Sequence, residues 1–160
     1  MLKWIWLAVV VVIFDQLTKY IASNSLEILR PIAVMPGFNW TLMHNPGAAF
    51  SFLANEGGWQ RWLFTVLASV VTLILIVWLL RLPVREKLTA AALCMVIGGA
   101  VGNLIDRIIN GYVVDFIDVY YRGYHWPAFN LADSAITGGV ILLLIDGVLV
   151  SIAAKRSVVD

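Results

Sequence analysis

The chain reads as an all-α membrane protein: four transmembrane helices, a small extracytoplasmic β-sheet and a short interfacial helix. Three observations lead there. Hydrophobic residues make up 61% of the 160 positions and charged residues 13%, about half the charge of an ordinary soluble domain. The apolar residues gather in four runs near the roughly 20 residues a helix needs to span a bilayer. The polar segments between the runs differ in size, one short and basic, two long and rich in aromatic and turn residues. A net charge of +1 and the lack of a basic stripe argue against nucleic acid. The lone cysteine, Cys94, sits in an apolar run, so no internal disulfide is possible and an inert core role is expected.

The first run is about 4–22. Lys3 followed by WIWLAVVVVIF resembles a secretory leader, but Asp15 and Lys19 follow and no A-x-A pattern appears, so a retained span is expected. Asp15 and Lys19 are four apart and share a helix face, where they brace the polar end of a bundle. Further spans are expected at about 59–80, 88–109 and 131–153, giving a single integral membrane domain over 1–160. Lys3, Arg81, Arg85, Lys87, Lys155 and Arg156 fall on the side of the termini, against Arg30, Arg61 and Arg122 on the other. That places the termini in the cytoplasm. Counting Lys19 and Arg107 with the outer side narrows the bias.

In the outer loop 23–58, Phe38, Trp40 and Leu42 alternate with Asn39, Thr41 and Met43, between the turn signals Pro36-Gly37 and Asn45-Pro46-Gly47. This predicts a half-buried strand, with Ala48–Leu53 as its partner. The outer loop 110–130 carries Tyr112, Phe116, Tyr120, Tyr121, Tyr124, Trp126 and Phe129. Such residues favour the headgroup level, and an interfacial helix is expected from Asp115 to Tyr121, ending near Gly123.

The chemistry concentrates between Gly98 and Asp133. Four of the 10 acidic residues are there, Asp106, Asp115, Asp118 and Asp133, at a membrane boundary where acids are costly. Asn103 and Arg107 share a helix face beside Asp106. Small residues at Gly98, Gly99, Ala100 and Gly102 on the third span, and Gly138 and Gly139 on the fourth, permit close packing of the two. Asn130 is expected to N-cap the fourth helix, putting Asp133 in its first turn, where the dipole favours a carboxylate. Two carboxyls converging there would form an aspartic-protease dyad sharing one proton. Spacing alone leaves six possible pairs among the four acids. His44 and His125 fit neither a Ser/His/Asp arrangement nor a metal motif. Asp146, deep in the fourth span, is expected to pair with a basic residue near the inner surface. A transporter with an intramembrane ion path would spread polar residues along a span; here they gather at one boundary, Asp146 excepted.

In order along the chain stand Asp15-Gln16-x-x-Lys19, Asn45-Pro46-Gly47-Ala48-Ala49-Phe50, Gly98-Gly99-Ala100-x-Gly102-Asn103-x-x-Asp106-Arg107, Val113-Val114-Asp115-Phe116 and Phe129-Asn130-x-Ala132-Asp133-Ser134. With four spans, this set closely resembles the bacterial lipoprotein signal peptidase (signal peptidase II) family over essentially the whole chain. The resemblance implies an intramembrane aspartic endopeptidase that cleaves diacylglyceryl-modified prolipoproteins just before the lipidated cysteine, at the outer face of the bacterial inner membrane. It implies Asp115 and Asp133 as the catalytic pair, selecting one of the six. It also implies Asp15, Lys19, Asn45, Gly47, Asn103, Asp106, Arg107 and Asn130 as substrate-binding or supporting residues. Inhibition by the cyclic peptide globomycin is also implied, and no metal or organic cofactor. The partners expected are the prolipoprotein and membrane lipid, with the enzyme a monomer. The aromatic segment and the sheet are expected to act as lids.

Overall fold

The computed structural model describes residues 2–47 and 59–159. A 3-10 turn, Leu2–Trp4, leads into helix α1, Ile5–Ser25. Strands β1 (Ile32–Met35) and β2 (Phe38–Asn45) follow, then helices α2 (Trp59–Arg81) and α3 (Lys87–Ile109). Strands β3 (Val113–Tyr121) and β4 (Tyr124–His125) precede the last helix, α4 (Leu131–Val159). All four helices are long and apolar enough to cross a membrane, and their limits lie close to those expected from the apolar runs.

Helix α3 is the centre of the bundle and, among the described residues, the only helix mostly buried. Its core face carries Ala90, Leu93, Cys94 and Ile97, packed with Ala8 of α1 and Leu79 of α2. The other helices present large apolar side chains outward, among them Leu17, Leu67, Ile74 and Leu144. This is the inverse of a soluble fold and suits a hydrocarbon solvent. The small residues divide their work between two neighbours. A Cβ on Gly98 or Gly102 would run into Ala8 or into the Asp15 carboxylate of α1, while one on Gly99 would collide with the backbone at Ala132 of α4. A Cβ on Gly139 would meet Ala92 and Val96 of α3. The glycines therefore admit α1 as well as α4, whereas the spacing alone suggested only α3 against α4.

At one end of the bundle lies a four-stranded antiparallel sheet in the order β1-β2-β3-β4. The strand expected at Phe38–Met43 is present. Its neighbours are β1 and β3; the partner expected at Ala48–Leu53 lies outside the described residues. The interfacial helix expected over Asp115–Tyr121 is corrected to strand β3. Val113, Val114, Phe116, Ile117, Val119, Tyr120 and Tyr121 are β-branched or aromatic, suited to a pleated, half-buried surface. Arg122 and Gly123, both at positive φ, close a two-residue hairpin into β4, a turn whose twist matches paired strands.

Between β2 and β3 the register shifts. Trp40 pairs with Ile117 and Met43 with Asp115, so β2 carries one extra residue, a β-bulge at Thr41 and Leu42. Both bulge residues are buried. Leu42 joins Val114, Phe116 and Ala22 in an apolar cluster that seats the sheet on the end of α1.

Candidate functional site

Four elements deliver polar side chains to the junction between the sheet and the bundle. Helix α4 begins there with a reciprocal cap. The Asp133 amide donates to Asn130 Oδ1 at 2.9 Å and the Asn130 amide to Asp133 Oδ2 at 3.3 Å, a capping-box arrangement. The next free amide, that of Ala132, donates to Asp15 Oδ1 of α1 at 2.9 Å. Two of the donors orphaned at a helix start are thus satisfied by side chains. Phe129 pairs with Ile117 through backbone hydrogen bonds, which brings Asn130 beside β3.

Asn130 is fully buried and stands between the two carboxylates singled out above. Its Nδ2 donates to Asp115 Oδ1 at 2.7 Å, and also reaches Asn103 Oδ1 at 3.1 Å and the Val114 carbonyl at 3.3 Å. Its Oδ1 and backbone amide hold Asp133. Asn103 Nδ2 donates to Asp133 Oδ1 at 2.7 Å. From β2, Asn45 Nδ2 donates to Asp115 Oδ2 at 3.0 Å, and Asn45 Oδ1 accepts the Gly47 amide at 3.0 Å. Each carboxylate is thereby oriented through both of its oxygens. Burial pushes the Asp115 carboxyl up to about 7, and the nearby Asp133 charge adds to this; the hydrogen bonds from Asn45 and Asn130 pull the other way.

Behind this pair lies a buried ionic cluster. Lys19 Nζ is 2.8 Å from Asp15 Oδ2, 2.9 Å from Asp106 Oδ2 and 2.9 Å from Asn103 Oδ1, so all three ammonium donors have an acceptor. Asp106 Oδ2 also accepts the Val114 amide at 3.1 Å, tying α3 to the strand residue before Asp115. Arg107 interacts electrostatically with Asp133, Asp115 and Asp106. One of its guanidinium nitrogens reaches the Asn103 carbonyl at 3.4 Å, while its Nε is a buried donor with no partner among the described residues.

Every site residue expected from the sequence within the described residues gathers here: Asp15, Lys19, Asn45, Gly47, Asn103, Asp106, Arg107, Asp115, Asn130 and Asp133. Asp118, the fourth acid, lies elsewhere on the sheet. It accepts Asn39 Nδ2 and Thr41 Oγ1 on Oδ2, both at 3.0 Å, and bonds His125 Nδ1 through Oδ1 at 2.7 Å. Burial would raise its carboxyl, but these hydrogen bonds outweigh that and hold it below its usual value. Asp146 takes a hydrogen bond from the Thr89 hydroxyl of α3, and among the described residues no basic side chain pairs with it as expected.

Two residues were missed. Gln16 Nε2 donates to Asp106 Oδ1 at 3.0 Å and to the Gly102 carbonyl at 3.1 Å. Arg61 Nε donates to the Arg107 carbonyl and its terminal nitrogen to the Ile108 carbonyl, both at 2.9 Å. Arg61 so caps α3 at its C-terminal end, where a cation is favoured. Gln16, a polar residue beside Asp15 in an apolar run, was a usable signal; Arg61 looked like any loop-side charge.

These features define a polytopic membrane protein with a buried carboxylate cluster where its helix bundle meets a small sheet. The model of the Signal peptidase (SPase) II family matches residues 7–149, and the chain belongs to that family. It is 57% identical over 145 residues to a lipoprotein signal peptidase of Acinetobacter baylyi, covering 91% of this chain and 81% of the relative. A lipoprotein signal peptidase of Pseudomonas putida is 53% identical over 147 residues, covering 91% and 86%. The fold is similar to that of a bacterial membrane enzyme solved in meso at 2.3 Å resolution, with a TM-score of 0.83 and 36% identity, covering 97% of this chain and 92% of that one.

Proposed function

We propose that the protein is an intramembrane aspartic endopeptidase, with Asp115 and Asp133 as its dyad, that removes the signal peptide from diacylglyceryl-modified prolipoproteins just before the lipidated cysteine. The observation that carries the reading is Asn130, which hydrogen-bonds both carboxylates and leaves each with a distinct environment. Asp115 is pushed up to about 7 by burial, suited to holding a proton at neutral pH. Asp133 lies in the first turn of α4, where a negative charge is favoured.

On this reading Asp133 accepts a proton from water as the water oxygen attacks the scissile carbonyl carbon. Asp115 gives its proton to the carbonyl oxygen, forming a neutral gem-diol. In collapse, Asp115 recovers a proton from one diol hydroxyl as the C–N bond breaks, and the leaving nitrogen takes the proton held by Asp133. Both carboxyls return to their starting states. The Nε of Arg107, without a partner among the described residues, would donate to a substrate carbonyl, and Asn45 and Gly47 would line the approach from the end of β2. The ionic cluster of Lys19, Asp15 and Asp106 positions the backbone without entering the chemistry.

A substrate with two acyl chains and a membrane-spanning signal peptide approaches laterally, which suits a dyad at a helix end. The excess of basic residues at the opposite end supports cytoplasmic termini and a site at the outer face of the bacterial inner membrane. We further propose that the chain acts as a monomer and that globomycin blocks this site. The test is purified protein incubated with lipidated prolipoprotein, reading the shortened product. Asp115→Asn and Asp133→Asn are each expected to lose about 10²–10⁴-fold in turnover while still inserting in the membrane; wild-type turnover by either would refute the dyad.

A further inference from the structure

Asp118 sits three residues along β3 from Asp115 and outside the dyad, yet it is 3% exposed and accepts three side-chain hydrogen bonds. Two of them, from Asn39 and Thr41, come from β2 and reach the same oxygen. These donors flank Trp40, the last β2 residue in register before the bulge. Thr41 is itself a bulge residue. The third, from His125, ties in β4, and the His125 ring stacks on Tyr120 with centroids 5.1 Å apart.

The bulge decides where Asn45 lands. From Trp40 to Asn45 the chain advances five residues, while the paired stretch of β3, from Ile117 to Val113, advances four. With the extra residue in place, Met43 stands opposite Asp115, and Asn45 Nδ2 reaches Asp115 Oδ2. A one-residue slip in pairing would turn each β2 side chain to the other face, taking Asn45 off the carboxylate. The buried cluster of Leu42, Val114, Phe116 and Ala22 opposes that slip on the apolar side. Two donors on one buried oxygen of Asp118 fix the bulge itself on the polar side.

We propose that Asp118 is a positioning residue for the reaction: by pinning the β2 bulge through Asn39 and Thr41, it holds Asn45 on Asp115. The proposal rests on the dyad reading above. A misplaced Asn45 costs orientation at the reacting carboxyl, where small displacements carry large rate penalties. It also removes a hydrogen bond that pulls the Asp115 carboxyl down.

The experiment measures kcat and KM on a lipidated prolipoprotein across pH for the wild type, Asp118→Ala, Asp118→Asn, Asn45→Ala and the Asp118→Ala/Asn45→Ala double variant. Asp118→Ala is expected to lower kcat by about 10- to 100-fold, with KM changed by less than about threefold. The alkaline limb of kcat should move to higher pH in the same sense as in Asn45→Ala. The double variant should be no slower than Asn45→Ala alone. Asp118→Asn should recover most of the activity, since its amide oxygen still accepts from Asn39 and Thr41. If Asp118→Ala does not fold, Thr41→Val, which keeps shape and removes one donor, carries the same comparison. An unmoved alkaline limb, or losses that multiply in the double variant, overturns the positioning role. Asp115→Asn run alongside separates the two readings: turnover by that variant refutes the dyad, whatever Asp118 does.

Discussion

Lys19 and Asp115 show how differently two buried charged groups serve the same junction. Lys19 is 3% exposed and satisfied by Asp15, Asp106 and Asn103, so its removal strands two buried carboxylates. Lys19→Met is expected to destabilise the fold by roughly 3–5 kcal/mol, read as a drop in the thermal midpoint of the protein in detergent. Asp115 instead sits where burial favours its neutral form. Because its carboxyl is raised to about 7, the acid form required by the proposed mechanism is lost as pH climbs through that value. Activity should therefore fall on the alkaline side of about 7, measured as kcat against pH, the profile reporting the pair and not one residue. The sign for stability is the same. An unfolded Asp titrates near 3.8, so the folded state is favoured most below that and loses this contribution as pH rises to about 7.

At the scale of elements, close approach is what makes the site possible. Helix α3 meets α1 through Gly98 and Gly102 and meets α4 through Gly99. A Cβ on Gly102 would stand 2.5 Å from Asp15 Oδ2, the carboxylate that also holds Lys19 and caps Ala132. Gly102→Ala is expected to cost about 1–3 kcal/mol as overpacking and to lower turnover as well. Thermal unfolding and cleavage measured on the same preparation check both. At the C-terminal end of α3, Arg61 of α2 donates to the Arg107 and Ile108 carbonyls. Arg61→Met should destabilise by about 1 kcal/mol and reduce protection of the last turn of α3 in hydrogen exchange.

Over the whole molecule, the polar groups of the site form one layer, with the Thr89–Asp146 pair at the other end of α3. The Asp15–Lys19–Asp106 cluster, the caps of α4 and the sheet all sit at one end, with apolar helices running away from it. Basic residues Arg81, Arg85 and Lys87 border the connection at the opposite end. Reporter fusions at the C-terminus are expected to report a cytoplasmic location; a periplasmic signal would invert the proposed topology. This layering also explains which parts were legible beforehand. Four spans follow from run length alone, and the Asn130 cap follows from the residue types at 130–133. Strand β3 was not legible, because nine residues rich in aromatics suit an interfacial helix or a strand equally until β2 is there to pair with them.

What the sequence determined by itself is therefore what depends on local composition: the spans, the boundary where acids gather, the β2 strand and the cap that places Asp133. Each arises from neighbours along the chain. Tertiary structure decided the rest. It separated Asp118, satisfied within the sheet by Asn39, Thr41 and His125, from Asp115, joined to Asn45 and Asn130. Spacing along one strand cannot make that distinction, since a single bulge in the partner strand changes which side chains meet each acid. Only the folded pairing of β2, β3 and the start of α4 assigns the two carboxylates their different surroundings.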